Sequence, residues 1–277
     1  MDHYTAVIDS CAKAGQADEA ARWVGRMLDE GLVPSLFALT AVVDSYAQAC
    51  NPSQAAWWLK NMKKFSLKPE NVAYNAVISG YSKQGDSEMA AQWLHEMNSS
   101  GFPADAVSYT NLISGCASRG ATNEAASWFA SMIDAGCTPD VPAYSAMIDV
   151  YAKSGDIRGA VFWLQQMIEA ALSPNEVSYT SLINSFAQRG DAAEASAVVR
   201  QMIEVRVMPN VVTYTAVIHA WLKKGDMNEA MRWLNEMSVV GVKPNVTTCN
   251  VILNSCAQRA DAHGAARWLA EIMTTMH

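Results

Sequence analysis

The chain has 277 residues, 51% of them hydrophobic and 17% charged, with a net charge of −7. Such a composition can bury a large core and excludes a disordered chain. No run of eighteen apolar residues occurs, which excludes a transmembrane helix, and the acidic balance taken whole argues against a nucleic-acid binder.

Cys11, Cys50, Cys116, Cys137, Cys249 and Cys256 include no C-x-x-C pair, which disfavours a zinc ribbon, and reduced buried thiols are expected. Met1-Asp2-His3-Tyr4 runs straight into patterned sequence and reads as neither a signal nor a transit peptide.

From the N-terminus onward one pattern returns every 35 residues. Pro34, Pro69, Pro139, Pro174, Pro209 and Pro244 keep this step, with Ala104 at the missing place and Pro103 beside it. Trp23, Trp58, Trp93, Trp128, Trp163, Trp233 and Trp268 keep it too, with Val198 in the gap. Alanine holds all eight equivalent places from Ala20 to Ala265, and methionine seven from Met27 to Met237, before Ile272. The spacing gives units at 1–35, 36–70, 71–105, 106–140, 141–175, 176–210 and 211–245, then a shorter one at 246–277.

Each unit reads as two helices. In the first two units the pattern opens at Tyr4 and then at Leu39, and the second unit departs from it, with Cys50 at a glycine place and Pro52 in the turn. The third unit shows the rule most clearly. Tyr74, Val77, Ile78 and Tyr81 share one helical face, and Gly85-Asp86-Ser87 breaks that helix and starts the next. Ala90, Trp93, Leu94 and Met97 make a second apolar face, which Gly101 ends before a proline-containing loop. The later units follow the same order, and no strand-like alternation interrupts them. Two short helices cannot bury both faces alone, so successive pairs are expected to stack into an α-solenoid. A tryptophan column could stack bases, but Trp93 shares a face with Ala90 and Met97, so core packing is the better reading.

The wording of the unit narrows the kind of solenoid. Val211-Val212-Thr213-Tyr214-Thr215-Ala216-Val217-Ile218 is followed by Lys223-Lys224-Gly225-Asp226, Glu229-Ala230, Glu236-Met237, Gly241-Val242 and Lys243-Pro244-Asn245. This closely resembles the pentatricopeptide repeat, and the likeness recurs along essentially the whole chain. The resemblance implies an all-α fold, an α-α superhelix forming a right-handed solenoid of helix-turn-helix repeats, in one array over 1–277. It also implies binding of single-stranded RNA in mitochondria or chloroplasts, with about one base read per repeat.

In that family the fifth and last residues of a repeat select the base. The fifth places here are Thr5, Thr40, Asn75, Thr110, Ser145, Thr180, Thr215 and Asn250; the last places are Ser35, Glu70, Asp105, Asp140, Asn175, Asn210 and Asn245. Asp only accepts hydrogen bonds whereas Asn donates and accepts, so their exchange can discriminate base edges. The structural alternative is that Thr, Ser and Asn at the fifth place begin the first helix as caps, while the Asp or Asn after the proline ends the loop. The family's pairing rules imply a uridine at Asn75 with Asp105 and a guanosine at Thr110 with Asp140. They imply adenosines at Ser145 with Asn175, Thr180 with Asn210 and Thr215 with Asn245, for a core of 5′-UGAAA-3′. Thr5 with Ser35 and Thr40 with Glu70 are unusual combinations, and Asn250 has no last-place partner. The second place is expected to pack against bases, and it holds Phe37, Val72, Val107, Pro142, Val177 and Val212, with Asp2 and Thr247 in the terminal units.

Charge divides by position. The first fourteen places of the repeats sum to +3 and the remainder to −10. Lys13, Lys83, Arg119, Lys153, Arg189, Lys223, Lys224 and Arg259 end the first helices and are candidate phosphate contacts, although the helix dipole alone favours cations there. One phosphate for each of the seven cation-bearing repeats would give a log–log salt slope of roughly −5. No H-E-x-x-H, Walker A or G-x-S-x-G motif occurs, nor H-x-E with a downstream C-x-x-C, so no catalytic residue, metal or cofactor is expected. Of the histidines, His219 is placed where it could approach RNA, although a solvated surface histidine is the better reading.

The expected function is sequence-selective RNA binding that acts by occupancy in RNA processing, stability or translation, without a membrane. The alternative is a peptide-binding scaffold of the tetratricopeptide type. Trp268, Leu269, Ile272 and Met276 have nothing after them to cap the last helix, so a fragment of a longer array, or self-association through the ends, is expected. A separate RNA-processing enzyme is a further expected partner.

Overall fold

The computed structural model describes residues 2–258. Among these the chain is all α, with fifteen α-helices and two 3₁₀ turns. The first-helix series of the repeats is α1 (Asp2–Lys13), α3 (Leu36–Gln48), α5 (Asn71–Gln84), α7 (Ala106–Cys116), α9 (Val141–Ser154), α11 (Glu176–Arg189), α13 (Val211–Lys224) and α15 (Val246–Gln258). The second-helix series is α2 (Ala17–Asp29), α4 (Pro52–Met62), α6 (Ser87–Ser99), α8 (Thr122–Asp134), α10 (Ile157–Glu169), α12 (Ala192–Glu204) and α14 (Met227–Val239). Two compact units, Met1–Val150 and Tyr151–His277, divide the chain within α9.

In the first unit α1, α3, α5 and α7 stack in succession, each packed on its own second helix. In the second unit α11, α13 and α15 do the same, and α12 and α14 pack on α11 and α13. The recurring alanine explains the approach of the helices: Ala20, Ala55, Ala90, Ala125, Ala160, Ala195 and Ala230 are all fully buried. So are the methionines from Met27 to Met237, each filling a gap and contributing about 1.5–3 kcal/mol by burial. Trp93 and Trp233 are buried, whereas Trp23, Trp58, Trp128 and Trp163 are half-buried. The tryptophan joins the two helices of a repeat. Tyr74 meets Trp93 at 6.3 Å and 52°, and Tyr214 meets Trp233 at 6.2 Å and 53°, so the joint is nearly the same in both units.

In repeat four the tenth place approaches the preceding first helix closely. A Cβ on Gly115 of α7 would lie 2.7 Å from Ser82 Cβ and 2.9 Å from Ser82 Cα on α5. Only glycine permits this backbone approach, which sets the spacing between neighbouring repeats there.

Repeat two keeps the backbone turn that Gly15, Gly85 and Gly120 make at the same place, although its residue differs. Cys50 adopts a left-handed φ of +55°, a conformation that side chains disfavour. Pro52, by contrast, is no disruption. It occupies the first turn of α4, where its missing N–H is no loss, and Asn51 caps that helix by accepting from Gln54 N. In repeat four the end of the first helix tightens, and Ala117–Arg119 forms a 3₁₀ turn.

Two substitutions test these positions with opposite signs. Cys50→Gly should raise stability by about 1 kcal/mol by relieving the left-handed penalty. Gly115→Ala should lower it by about 1–3 kcal/mol by overpacking α7 against α5. Denaturant melts followed by circular dichroism measure both, and equal midpoints for the three proteins would remove the backbone argument.

Candidate nucleic-acid interface

A soluble helix ordinarily keeps large apolar side chains inward, so the second places stand out. Phe37 is 59% exposed, Val72 62%, Val107 55%, Val177 58% and Val212 48%. Pro142 and Thr247 at the same place are exposed as well. Within each unit these residues mark one end of the first helices, and no core packing explains them.

The last-place residues form the helix N-terminus beside them. A helix start leaves backbone N–H groups without partners. Ser35 Oγ accepts from Ala38 N at 3.2 Å, Asp105 Oδ1 from Ser108 N at 3.0 Å, and Asp140 Oδ1 from Ala143 N at 3.0 Å. Asn175 Oδ1 accepts from Ser178 N at 3.0 Å, Asn210 Oδ1 from Val212 N at 2.8 Å, and Asn245 Oδ1 from Thr248 N at 2.9 Å. Glu70 alone makes no side-chain cap; its backbone carbonyl takes Ala73 N at 3.0 Å instead. The alternative reading, that fifth-place residues cap the first helices, does not hold here. The last place supplies the caps, because only it precedes the first turn with extended backbone, and the fifth place lies inside the helix.

Capping fixes which atom of the last residue stays available. In Asn210 the carbonyl oxygen is consumed by Val212 N, Thr213 N and Thr213 Oγ1, so Nδ2 remains as a donor. In Asp105 the Oδ1 atom takes Ser108 N and Oγ and Asn75 Nδ2, so Oδ2 remains as an acceptor. One carbon skeleton thus presents opposite hydrogen-bonding characters. Burial raises the Asp105 pKa, but the bonds from Ser108, Asn75 and Asn71 outweigh it and hold the carboxyl below its usual range.

Fifth-place side chains are tied to the caps through a residue absent from the sequence-based set, the third residue of the following repeat. Ser108 Oγ donates to Asn75 Oδ1 at 2.6 Å and also meets Asp105 Oδ1 at 3.0 Å. Thr213 links Thr180, at 3.4 Å, to Asn210 at 3.1 Å. Thr248 links Thr215, at 2.7 Å, to Asn245 at 3.1 Å. Asn75, Ser145 and Thr215 are buried, Thr5, Thr40, Thr110 and Thr180 half-buried, and Asn250 exposed. The buried Thr110 hydroxyl has no hydrogen-bond partner. A hydroxyl residue three places after Asp or Asn was the available sequence signal, since that spacing suits a cap that is bonded back.

The described first-helix cations are all exposed, but several have protein partners. Lys13 pairs with Asp9 at 2.6 Å, and Arg119 holds both oxygens of Glu124 at 3.1 Å. Arg189 reaches Gly155 O at 3.3 Å and Asp191 at 3.3 Å, and Lys223 donates to Gln188 O. Gln84 makes the corresponding bond to Cys50 O at 2.6 Å. The end of one first helix thereby satisfies orphan carbonyls at the end of the preceding one. Lys224 sits over the Trp221 ring at 4.9 Å. Lys83 and Lys153 are exposed on the same helix ends. Arg259 lies outside the described residues, as do Trp268, Leu269, Ile272 and Met276. Beside Lys13, a cleft is walled by Phe37 and Val72, with Thr40, Asp9 and Asp44 lining it. His219 stands one turn beyond Thr215 on α13; desolvation and the neighbouring Lys223 lower its pKa.

Three comparisons bear on this arrangement. A sequence profile described as the PPR repeat family matches residues 69–118, 104–153, 139–188, 174–220 and 209–258. Profiles described as PPR repeat and pentatricopeptide repeat domain match residues 2–32 and 29–84. No curated protein sequence matches the chain. Among solved structures, the pentatricopeptide repeat protein PPR10 from maize is 25% identical, with a TM-score of 0.73 over 98% of this chain and 39% of its own. PPR10 in complex with an 18-nucleotide psaJ RNA element is 22% identical, with a TM-score of 0.64 over 98% of this chain and 44% of that one. Nuclear proteinaceous RNase P 2 from A. thaliana is 14% identical, with a TM-score of 0.52 over 66% of this chain and 41% of its own. This chain therefore spans less than half the length of these three structures. With profiles matching from residue 2 to residue 258 and a shared helical-repeat fold, the chain belongs to the pentatricopeptide repeat family.

Proposed function

We propose that the chain binds single-stranded RNA sequence-selectively, reading about one base per repeat along one array over residues 1–277. The observation that carries this reading is the capped last place. Beside Val107, Pro142, Val177 and Val212, a helix N-cap leaves a donor on Asn or an acceptor on Asp. An exposed apolar side chain can cover a base face, while the neighbouring oriented atom tests the base edge. The PPR10 structure with an RNA element supports the same ligand class. The core target is 5′-UGAAA-3′, from repeats three to seven.

The protein acts by occupancy. It holds RNA single-stranded, excludes nucleases or positions the strand for a separate processing enzyme, in mitochondria or chloroplasts as the family implies. No helix among the described residues is long and apolar enough to cross a membrane.

Binding to RNAs carrying UGAAA, to its permutations and to the matching DNA tests the reading. Asn210→Asp replaces an amide donor, one N–H of which bonds Glu176, by an acceptor. It should shift the preference at the fourth base from adenosine towards guanosine, with about 1–3 kcal/mol of discrimination at stake. Equal affinity for every permutation in both proteins would end the base-reading proposal.

Phosphate contact has its own measurement. Lys83→Ala should flatten the log–log salt slope by about 0.7, the loss of one neutralised phosphate. Lys13→Ala should change it less, because Asp9 already neutralises that ammonium. A third expectation concerns pH. His219 is neutral at pH 7 and gains a proton only as pH falls through its lowered pKa, below about 6.5. Between about pH 7.5 and 5.5, wild type should gain RNA affinity relative to His219→Gln. Parallel pH profiles would place His219 away from the RNA.

A further inference from the structure

The first place of a repeat is apolar in Leu36, Ala106, Val141 and Val211, as suits the start of a packed helix. Repeats three and six differ. Their first residues are Asn71 and Glu176, and each reaches the last residue of its own repeat. Asn71 Nδ2 lies 3.5 Å from Asp105 Oδ2 and 3.4 Å from Pro103 O. Glu176 Oε1 accepts a hydrogen bond from Asn210 Nδ2. In both cases the partner is the atom that capping leaves available. The pairs are also opposite in character, with an amide beside a carboxylate acceptor in repeat three and a carboxylate beside an amide donor in repeat six.

We propose that Asn71 and Glu176 are base-selecting side chains that extend the reading site of repeats three and six; this rests on the RNA-reading function proposed above. A single donor or acceptor does not fix the orientation of a base edge, whereas two adjacent atoms of opposite character separate adenine and cytosine from guanine and uracil. The second N–H of Asn210 Nδ2 remains open beside the remaining lone pairs of Glu176. Together they match an edge that carries a ring-nitrogen acceptor next to an exocyclic amino group. Adenine and cytosine have that edge. Guanine and uracil carry an N–H next to a carbonyl oxygen, which the Glu176 carboxylate repels.

In repeat three the order is reversed. Asp105 Oδ2 can accept the uracil or guanine N–H while Asn71 Nδ2 donates to the adjoining carbonyl oxygen. The two existing contacts of Asn71 are at the long limit of hydrogen bonding, so a base can replace them at little cost. The first place thus adds an amino-or-keto choice to two repeats and leaves the apolar first places elsewhere without one.

The test uses RNAs that differ only at the base facing repeat six, the fourth of UGAAA, and compares wild type with Glu176→Val and Glu176→Gln. Valine is the natural residue at the first place of repeats five and seven. Anisotropy titrations should show the preference for adenosine over guanosine falling about three- to tenfold in Glu176→Val, the worth of one hydrogen bond. Glu176→Gln should also lose preference, because its amide serves either edge. Asn71→Val should lower the preference for uridine over cytidine at the first base and leave the fourth base untouched. A uniform tightening for all four bases, with unchanged ratios in Glu176→Val and Glu176→Gln, would reduce Glu176 to a repelling charge and overturn the inference. Discrimination retained by wild type at other bases would leave the broader reading intact in that case. Absence of discrimination at every base would remove both.

Discussion

Every helix must find partners for its first backbone N–H groups, and in this protein that requirement falls on the residue that also faces outward between repeats. The proline two places from the helix ends the loop, the last-place residue adopts extended backbone, and its short side chain turns back to accept from the helix. Asp, Asn and Ser can do this. Once the near oxygen is committed, the far atom has no freedom left to change character. Folding therefore sets the chemistry of the outward atom before any ligand arrives. The third-place hydroxyls of Ser108, Thr213 and Thr248 carry the constraint further, because each ties a cap to the fifth-place side chain of the preceding repeat.

The frame of the molecule was legible in one dimension. A step of 35 residues shared by proline, tryptophan, alanine and methionine is a packing requirement repeated, and the buried Ala and Met columns are its cause. The second-place residues were also legible, since an apolar side chain recurs beside the helix start. Which atom of Asp105 or Asn210 remains available was not. That depends on side-chain torsion, and composition carries no trace of it. The committed cations were hidden for a different reason. Arg189 and Lys223 find main-chain carbonyls about one repeat earlier, and a carbonyl looks the same under every residue type. Repeat two misled in part, because Pro52 looks like a break until its place in the first turn of α4 is known.

The acidic whole and the basic helix ends are compatible because charge here acts locally. Screening in salt confines an exposed charge to about 8–10 Å, so the sum over 277 residues says little about one face. What matters is whether an ammonium near the first helices is already answered. Asp9 answers Lys13 and Glu124 answers Arg119. These pairs lessen indiscriminate attraction to any polyanion, and on the proposed reading selectivity falls to short neutral and acidic side chains at the caps.

Glu70 holds the last place of repeat two without folding back onto its helix. Its carboxylate is one methylene too long for the task and keeps its rotational freedom. In the language of messages, such a site would, on the proposed reading, contribute grip but little information. A strand could exchange one letter for another opposite this repeat and still be held. The array would then weigh its positions unequally, strict where a cap pins the side chain and permissive where none does. The length of a recognised sequence would accordingly be shorter, in informative letters, than the number of repeats that touch it.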